Sequence, residues 1–261
     1  MGDVTASPLP ETCATLWVWL GHAVYLGPSL RLGSHSTSVR CLVLGVDAPF
    51  VLSSDGPTSR TRSALIPPRT THRVAAGGDR MLFCYFEPTA RRGAAELMTG
   101  TAGPFGLAHR DEGDLIARCR VPDPDPLALL DAAGGPTVTT TDPRVDEAAR
   151  ELRADPARPV GAEEFARAAR LSPTHFLRLF AAETGTSFRR YRMWARMVHV
   201  AGSLAKGADL TGAAMDAGFA SPSHFSDVFR ATFGLTATDL LATGVRIRVL
   251  DAAIGATRTG H

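Results

Sequence analysis

The sequence predicts an α+β chain of two domains, a front β-barrel followed by an all-α domain with two helix-turn-helix units joined by a long helix. Three observations carry that prediction. Short apolar runs punctuated by Gly, Pro and Ser fill the first part, proline-rich chain follows, and one segment of the remainder then occurs twice, 49 residues apart. At ~150 residues per domain, 261 residues leave room for two domains of this kind, each with its own core.

The front elements read as strands at about 16–20, 39–46, 49–52 and 81–86, as in a small antiparallel barrel or sandwich. Val121-Pro-Asp-Pro-Asp-Pro126 continues neither a helix nor a central strand, because proline lacks the amide donor and restricts its predecessor. With Ala133-Gly-Gly-Pro136 and Thr139-Thr-Thr141 it places a linker at 121–141, between domains at 1–120 and 142–241; residues 242–261 form a tail. Beyond the linker, Asp142-Pro143 is an N-cap with proline at the first helical position, opening a helix to about residue 154. Further helices are expected at about 161–169, 172–184, 187–206, 210–217, 221–233 and 236–241.

Within this part Ser172-Pro-Thr-His-Phe176 returns as Ser221-Pro-Ser-His-Phe225, Phe180 as Phe229, and Gly185 as Gly234. Each copy starts with a Ser cap and Pro and stops at Gly. Phe176, Leu179 and Phe180 share one helical face, as do Phe225, Val228 and Phe229. An alanine-rich helix precedes each copy, its small side chains allowing a close crossing, which gives helix, tight turn, helix, twice. The proline-free run 187–206 between them buries Phe188, Tyr191, Ala195 and Val198. Twenty residues make a rod of ~30 Å, close to the ~34 Å between successive major-groove openings on one face of a duplex.

Charge sharpens the reading. The net charge is only +2, yet residues 165–196 hold Arg167, Arg170, Arg178, Arg189, Arg190, Arg192 and Arg196 against Glu183 alone. A basic cluster within a near-neutral chain suits a polyanion-facing surface, or simply a solvated helical face.

The stretch 142–241 resembles the AraC/XylS-type bacterial transcription regulators. The likeness rests on Leu171-Ser172 through Arg178-Leu-Phe180, Gly185-Thr-Ser-Phe188, Tyr191, Arg196, Ala201, Gly218-Phe219, and Ser223-His-Phe225 through Phe229. It implies two helix-turn-helix modules whose second helices, at 172–184 and 221–233, enter the major groove. Three departures stand out. Thr236-Ala-Thr-Asp-Leu-Leu241 replaces the usual Thr-Pro-x-x-Tyr-Arg, Arg170 stands where a turn glycine is common, and Asp227 matches Arg178 where arginine is typical.

On this reading Thr174, His175, Leu177 and Arg178 face DNA in the first module. Arg178 suits guanine O6/N7, Leu177 a thymine methyl, and Thr174 a base or phosphate. Arg189, Arg190 and Arg192 are expected to clamp phosphates. The second module offers Pro222, Ser223, Ser226 and Asp227, the last suited to cytosine N4. The first module is thus expected to supply most of the affinity.

The front part, with Ala64-Leu-Ile-Pro-Pro-Arg-Thr-Thr-His72 and Met81-Leu-Phe-Cys-Tyr-Phe-Glu-Pro88, resembles cupin-like sensor barrels. The cupin metal motif of paired histidines is absent, so no metal or cofactor is expected. Trp17, Trp19, His35, His72 and Tyr85 are the candidates for an effector pocket. Cys13, Cys41, Cys84 and Cys119 are widely spaced and read as free thiols rather than disulfides or a zinc site. Neither a signal peptide nor an 18–20-residue apolar run is present, so the expected location is the cytoplasm, with no membrane partner. The expected protein is no enzyme but a sequence-specific regulator of double-stranded DNA. It leaves room for a small-molecule effector, RNA polymerase and homodimer formation. The alternative is a cupin-type metalloenzyme with an accessory helical domain.

Overall fold

The computed structural model describes residues 14–54, 56, 58–90, 92–135 and 142–250. Its first hairpin joins β1 (Thr15–Trp19) to β2 (His22–Pro28) through Leu20 and Gly21, both at positive φ (43° and 84°). That turn suits the right-handed twist of a two-residue hairpin. There follow β3 (Cys41–Gly45), β4 (Phe50–Ser53), β5 (Ser59–Thr61), β6 (Ser63–Ile66), β7 (Arg73–Ala75), β8 (Arg80–Tyr85), β9 (Met98–Ala102) and β10 (Phe105–His109). The helices are α1 (Glu112–Cys119), α2 (Pro126–Gly134), α3 (Pro143–Ala154), α4 (Ala162–Ala168), α5 (Pro173–Thr184), α6 (Phe188–Ala205), α7 (Leu210–Asp216), α8 (Pro222–Phe233) and α9 (Ala237–Ala242). A last strand, β11 (Arg246–Val249), ends the described chain.

The strands form an eight-stranded sheet, ordered β11-β1-β2-β8-β3-β6-β10-β9, and a three-stranded sheet, β5-β4-β7. Side-chain alternation divides the large sheet between two cores. Val18, Ala23, Tyr25, Cys41, Val43, Phe83 and Tyr85 face inward with Phe50, Leu52 and Val74 of the small sheet. Their neighbours Trp17, Trp19, Val24, Leu26, Leu42, Leu44, Leu82 and Cys84 face outward, onto Leu115, Cys119, Leu129, Leu130 and Ala133 of α1 and α2.

The expected linker is therefore only partly linker. Asp125 caps α2 by accepting from the Leu127 N–H at 2.9 Å, with Pro126 at the first helical position, and the helix completes the outer core. Prolines that break one helix here start another. Residues 136–141 of that stretch lie outside the described residues, as do Cys13 and residues 251–261 of the tail. The rest of the tail is not loose either: β11 pairs in parallel with β1, from Thr15↔Arg246 to Val18↔Val249.

In the helical half, the first module is built on Phe165, Phe176, Phe180, Phe188 and Tyr191, with Val145, Ala149 and Leu152 of α3. The second is built on Met197, Val200, Ala213, Ala214, Phe219 and Phe225. The 18 residues of α6, about 27 Å long, give their first turns to one core and their later turns to the other. Between the two, Trp194 points into the inner core of the front domain. Val198, expected with Phe188 and Tyr191, is half-buried against that same domain.

Candidate nucleic-acid interface and interdomain cavity

The two modules repeat each other atom for atom at their caps. Ser172 accepts from the His175 N–H at 3.3 Å, and Ser221 from the His224 N–H at 3.1 Å. α5 and α8 both stop at a left-handed glycine, Gly185 (φ 69°) and Gly234 (φ 78°). Before each lies a tight turn closed by Leu171 N–H to Ala166 C=O at 2.8 Å and Phe219 N–H to Ala214 C=O at 3.1 Å. The residue at positive φ is Arg170 (55°) in one turn and Gly218 (84°) in the other. Arg170 thus holds a backbone that favours glycine, at a cost of ~1 kcal/mol.

Inside, Phe176, Phe180 and Phe225 are buried. Outside, Thr174, His175, Leu177 and Arg178 of α5 and Pro222, Ser223, Ser226 and Asp227 of α8 are all exposed, Leu177 by 41%. Neither helix has its expected reading face under the front domain. Ser226 spends its hydroxyl proton within the helix, on the Pro222 carbonyl at 3.0 Å. Arg178 forms no ion pair among the described residues.

The clamping arginines separate. Arg189 is exposed, whereas Arg190 is half-buried, its guanidinium 3.4 Å from the Ser36 hydroxyl of the front domain. Arg192 donates to the Val160 carbonyl and lies over the Phe188 ring at 5.2 Å, and burial lowers its pKa. Arg192 is therefore a brace for the α3–α4 loop rather than a free cation. Arg196 does the same through the Pro156 carbonyl at 3.1 Å, over the Phe219 ring. Of the seven clustered arginines, Arg167, Arg170, Arg178 and Arg189 remain exposed.

The expected effector residues do not converge. Trp17 and Trp19 lie on the outer face of the sheet, against α1 and α2. His35 and His72 face each other, ring centroids 4.3 Å apart, across a backbone bridge. Each ring donates from Nδ1 to a nearby carbonyl, Gly33 at 2.9 Å and Thr70 at 2.8 Å. Burial, reinforced by His35, pulls the His72 pKa down to about 4. Tyr85 borders a cavity. That cavity, about 80 Å³, lies between the domains: β1, β2 and β8 contribute Val18, Tyr25, Phe83 and Tyr85, while α6 and α8 contribute Trp194, Val198, Ala201, Phe229 and Phe233. Trp194, Val198 and Ala201 follow i, i+4, i+7 spacing, a second apolar stripe on α6 visible in the sequence.

Polar contacts surround this seam. Trp194 Nε1 donates to the Gly21 carbonyl at 2.7 Å, and Gly33 N–H to the Gly234 carbonyl at 2.7 Å. Buried Glu87 accepts through Oε1 from the Tyr191 hydroxyl at 2.8 Å and from Arg153 at 3.1 Å. Burial raises the Glu87 pKa despite the pull of Arg153.

A family model described as a helix-turn-helix domain matches residues 165–243. Among solved structures, the fold is similar to that of an apo ToxT variant from Vibrio cholerae strain SCE256: 13% identity, TM-score 0.59, covering 86% of this chain and 98% of that one. It is also similar to unsaturated fatty acid bound wild-type ToxT from the same strain: 10% identity, TM-score 0.58, covering 85% and 95%. No curated protein matches. Residues 165–243 thus form a helix-turn-helix domain of two repeated units behind a β-rich domain, in a two-domain fold similar to that of ToxT.

Proposed function

We propose that the chain binds a specific duplex through two unequal modules, and that an effector lodged between the domains biases the binding. The observation that carries this reading is the pairing of two uncovered recognition faces with a cavity walled partly by the helix behind one of them. The first module supplies an unpaired Arg178 at its reading face with exposed Arg189 behind it; the second supplies hydroxyls and Asp227. Phosphate contacts dominate affinity, so residues 165–196 carry most of it. The fatty-acid-bound ToxT structure, of the same fold, supports a small molecule as the effector class. The division at 1–120, 121–141 and 142–241 serves this scheme with α2 assigned to the front domain. Work in the cytoplasm, contact with RNA polymerase and pairing of two copies belong to the same proposal.

The metalloenzyme alternative is not favoured, since no group of three His, Cys, Asp or Glu among the described residues is placed to hold a metal. The test is a titration against a duplex selected from a random pool. Arg178→Ala should weaken binding about 10-fold or more, from ~1–3 kcal/mol of lost base contact, and Ser223→Ala far less. Equal losses would reject the unequal modules; absence of any selected sequence would reject specific binding.

A further inference from the structure

We infer that the interdomain cavity takes an uncharged, largely hydrocarbon molecule, and that its occupancy is reported by the second helix-turn-helix module. This rests on the effector reading above and adds the ligand's chemistry and the module it acts on.

None of the residues lining the cavity carries a charge. Two of its three polar groups are already committed, the Tyr25 hydroxyl to the Pro28 carbonyl at 2.8 Å and Trp194 Nε1 to the Gly21 carbonyl, which leaves the Tyr85 hydroxyl for a neutral oxygen. The cations at the seam stand outside the cavity lining with partners of their own, Arg153 on Glu87 and Tyr191, and Arg190 on Ser36. An ionised carboxylate or ammonium would enter without a counter-charge, and burial of an unpaired charge is strongly unfavourable. A hydrocarbon chain ending in a hydroxyl or carbonyl loses little.

Size supplies the coupling. At about 80 Å³ the space is smaller than the ~150 Å³ apolar cavity that admits benzene. A ligand of several carbons overfills that space, so the part that does not extend through its open side presses on the walls. The walls on the DNA-binding side are α6 and α8, whose C-terminal turns give Phe229 and Phe233 while its N-terminal turns carry the exposed Ser223, Ser226 and Asp227. α5 contributes nothing to the lining. The ligand's differential fit to the two wall positions, which is what shifts a population, thus acts on the second module.

The test uses the full chain and the fluorescence of Trp194, the tryptophan at the cavity, since Trp17 and Trp19 lie across the sheet. 1-Decanol should give a saturable change at pH 8, and decanoate should bind at least about 100-fold more weakly. Decanoate binding as well as decanol would overturn the ligand class and leave the effector reading standing. No saturable response to either would overturn both. Val198→Lys should shift preference to decanoate, with Val198→Met as the control for wall disturbance. If Val198→Lys does not fold, the wild-type comparison still decides. On a selected duplex, decanol should alter footprint protection over the second module's half-site and leave the first unchanged. Equal change at both would overturn the assignment to α8.

Discussion

Arg189 and Arg192 are three residues apart on one helix and have opposite duties. Arg192→Ala removes the bond to the Val160 carbonyl and the stacking on Phe188, so it should lower stability by about 1–2 kcal/mol in urea unfolding. Arg189→Ala should leave stability unchanged, weaken duplex binding and reduce the salt slope by about 1. The sequence could not divide them, since a count of arginines does not say which guanidinium finds a carbonyl. At the His35–His72 pair the sign of the pH effect is fixed by burial. The folded pKa of His72 is about 4, below its ordinary 6.5, so its stabilising contribution is full above 6.5 and is lost as pH falls toward 4. The unfolding free energy measured in urea should fall by up to roughly 3 kcal/mol between pH 7 and 4.5, and His72→Gln should flatten that fall. An unchanged slope in the variant would place the titration elsewhere. The sequence offered both histidines as effector-pocket candidates; that they pair with each other rather than meet Tyr85 depends on a bridge between segments 37 residues apart.

At the scale of elements, the β1–β2 turn leaves no room for a side chain at Gly21. A Cβ on Gly21 would stand 2.0 Å from Glu87 Oε2 at φ +84°, and the Gly21 carbonyl receives the Trp194 indole. Gly21→Ala should therefore destabilise by about 2 kcal/mol or more and shift Trp194 emission; a neutral result would show that the turn relaxes freely. The helices α3 to α9 were legible almost to the residue because their ends carry chemical marks: Asp142-Pro143, Ser172-Pro173, Ser221-Pro222, Gly185 and Gly234. The last helix kept its start without the family proline, because Thr236 and Asp239 form a capping box. α2 was missed because the same Asp-Pro signal sat in a run of prolines that reads as linker. Arg246-Ile-Arg-Val249 does alternate as a strand, but its partner lies more than 220 residues away, beyond any local signal. The cavity was hidden for the same reason, its walls being half on each domain.

At the scale of the molecule, the chain leaves the front domain, builds both modules and returns to the sheet it started from. α9 ends at Ala242 and β11 begins at Arg246, four Cα steps that span no more than ~14 Å. β11 is mostly exposed along its side chains, with Ile247 half-buried, and is held by pairing with β1 and by its place beside α6. A chain ending at Val245 should show faster amide exchange over residues 15–19 and tighter engagement of the second half-site; unchanged values of both would make the strand incidental. The second module is in effect on a short leash. Small excursions, of the size a guest in the seam demands, use up only slack, whereas a wide departure must first unzip the leash from the sheet. Graded adjustment and full release are thereby separate events, with different barriers.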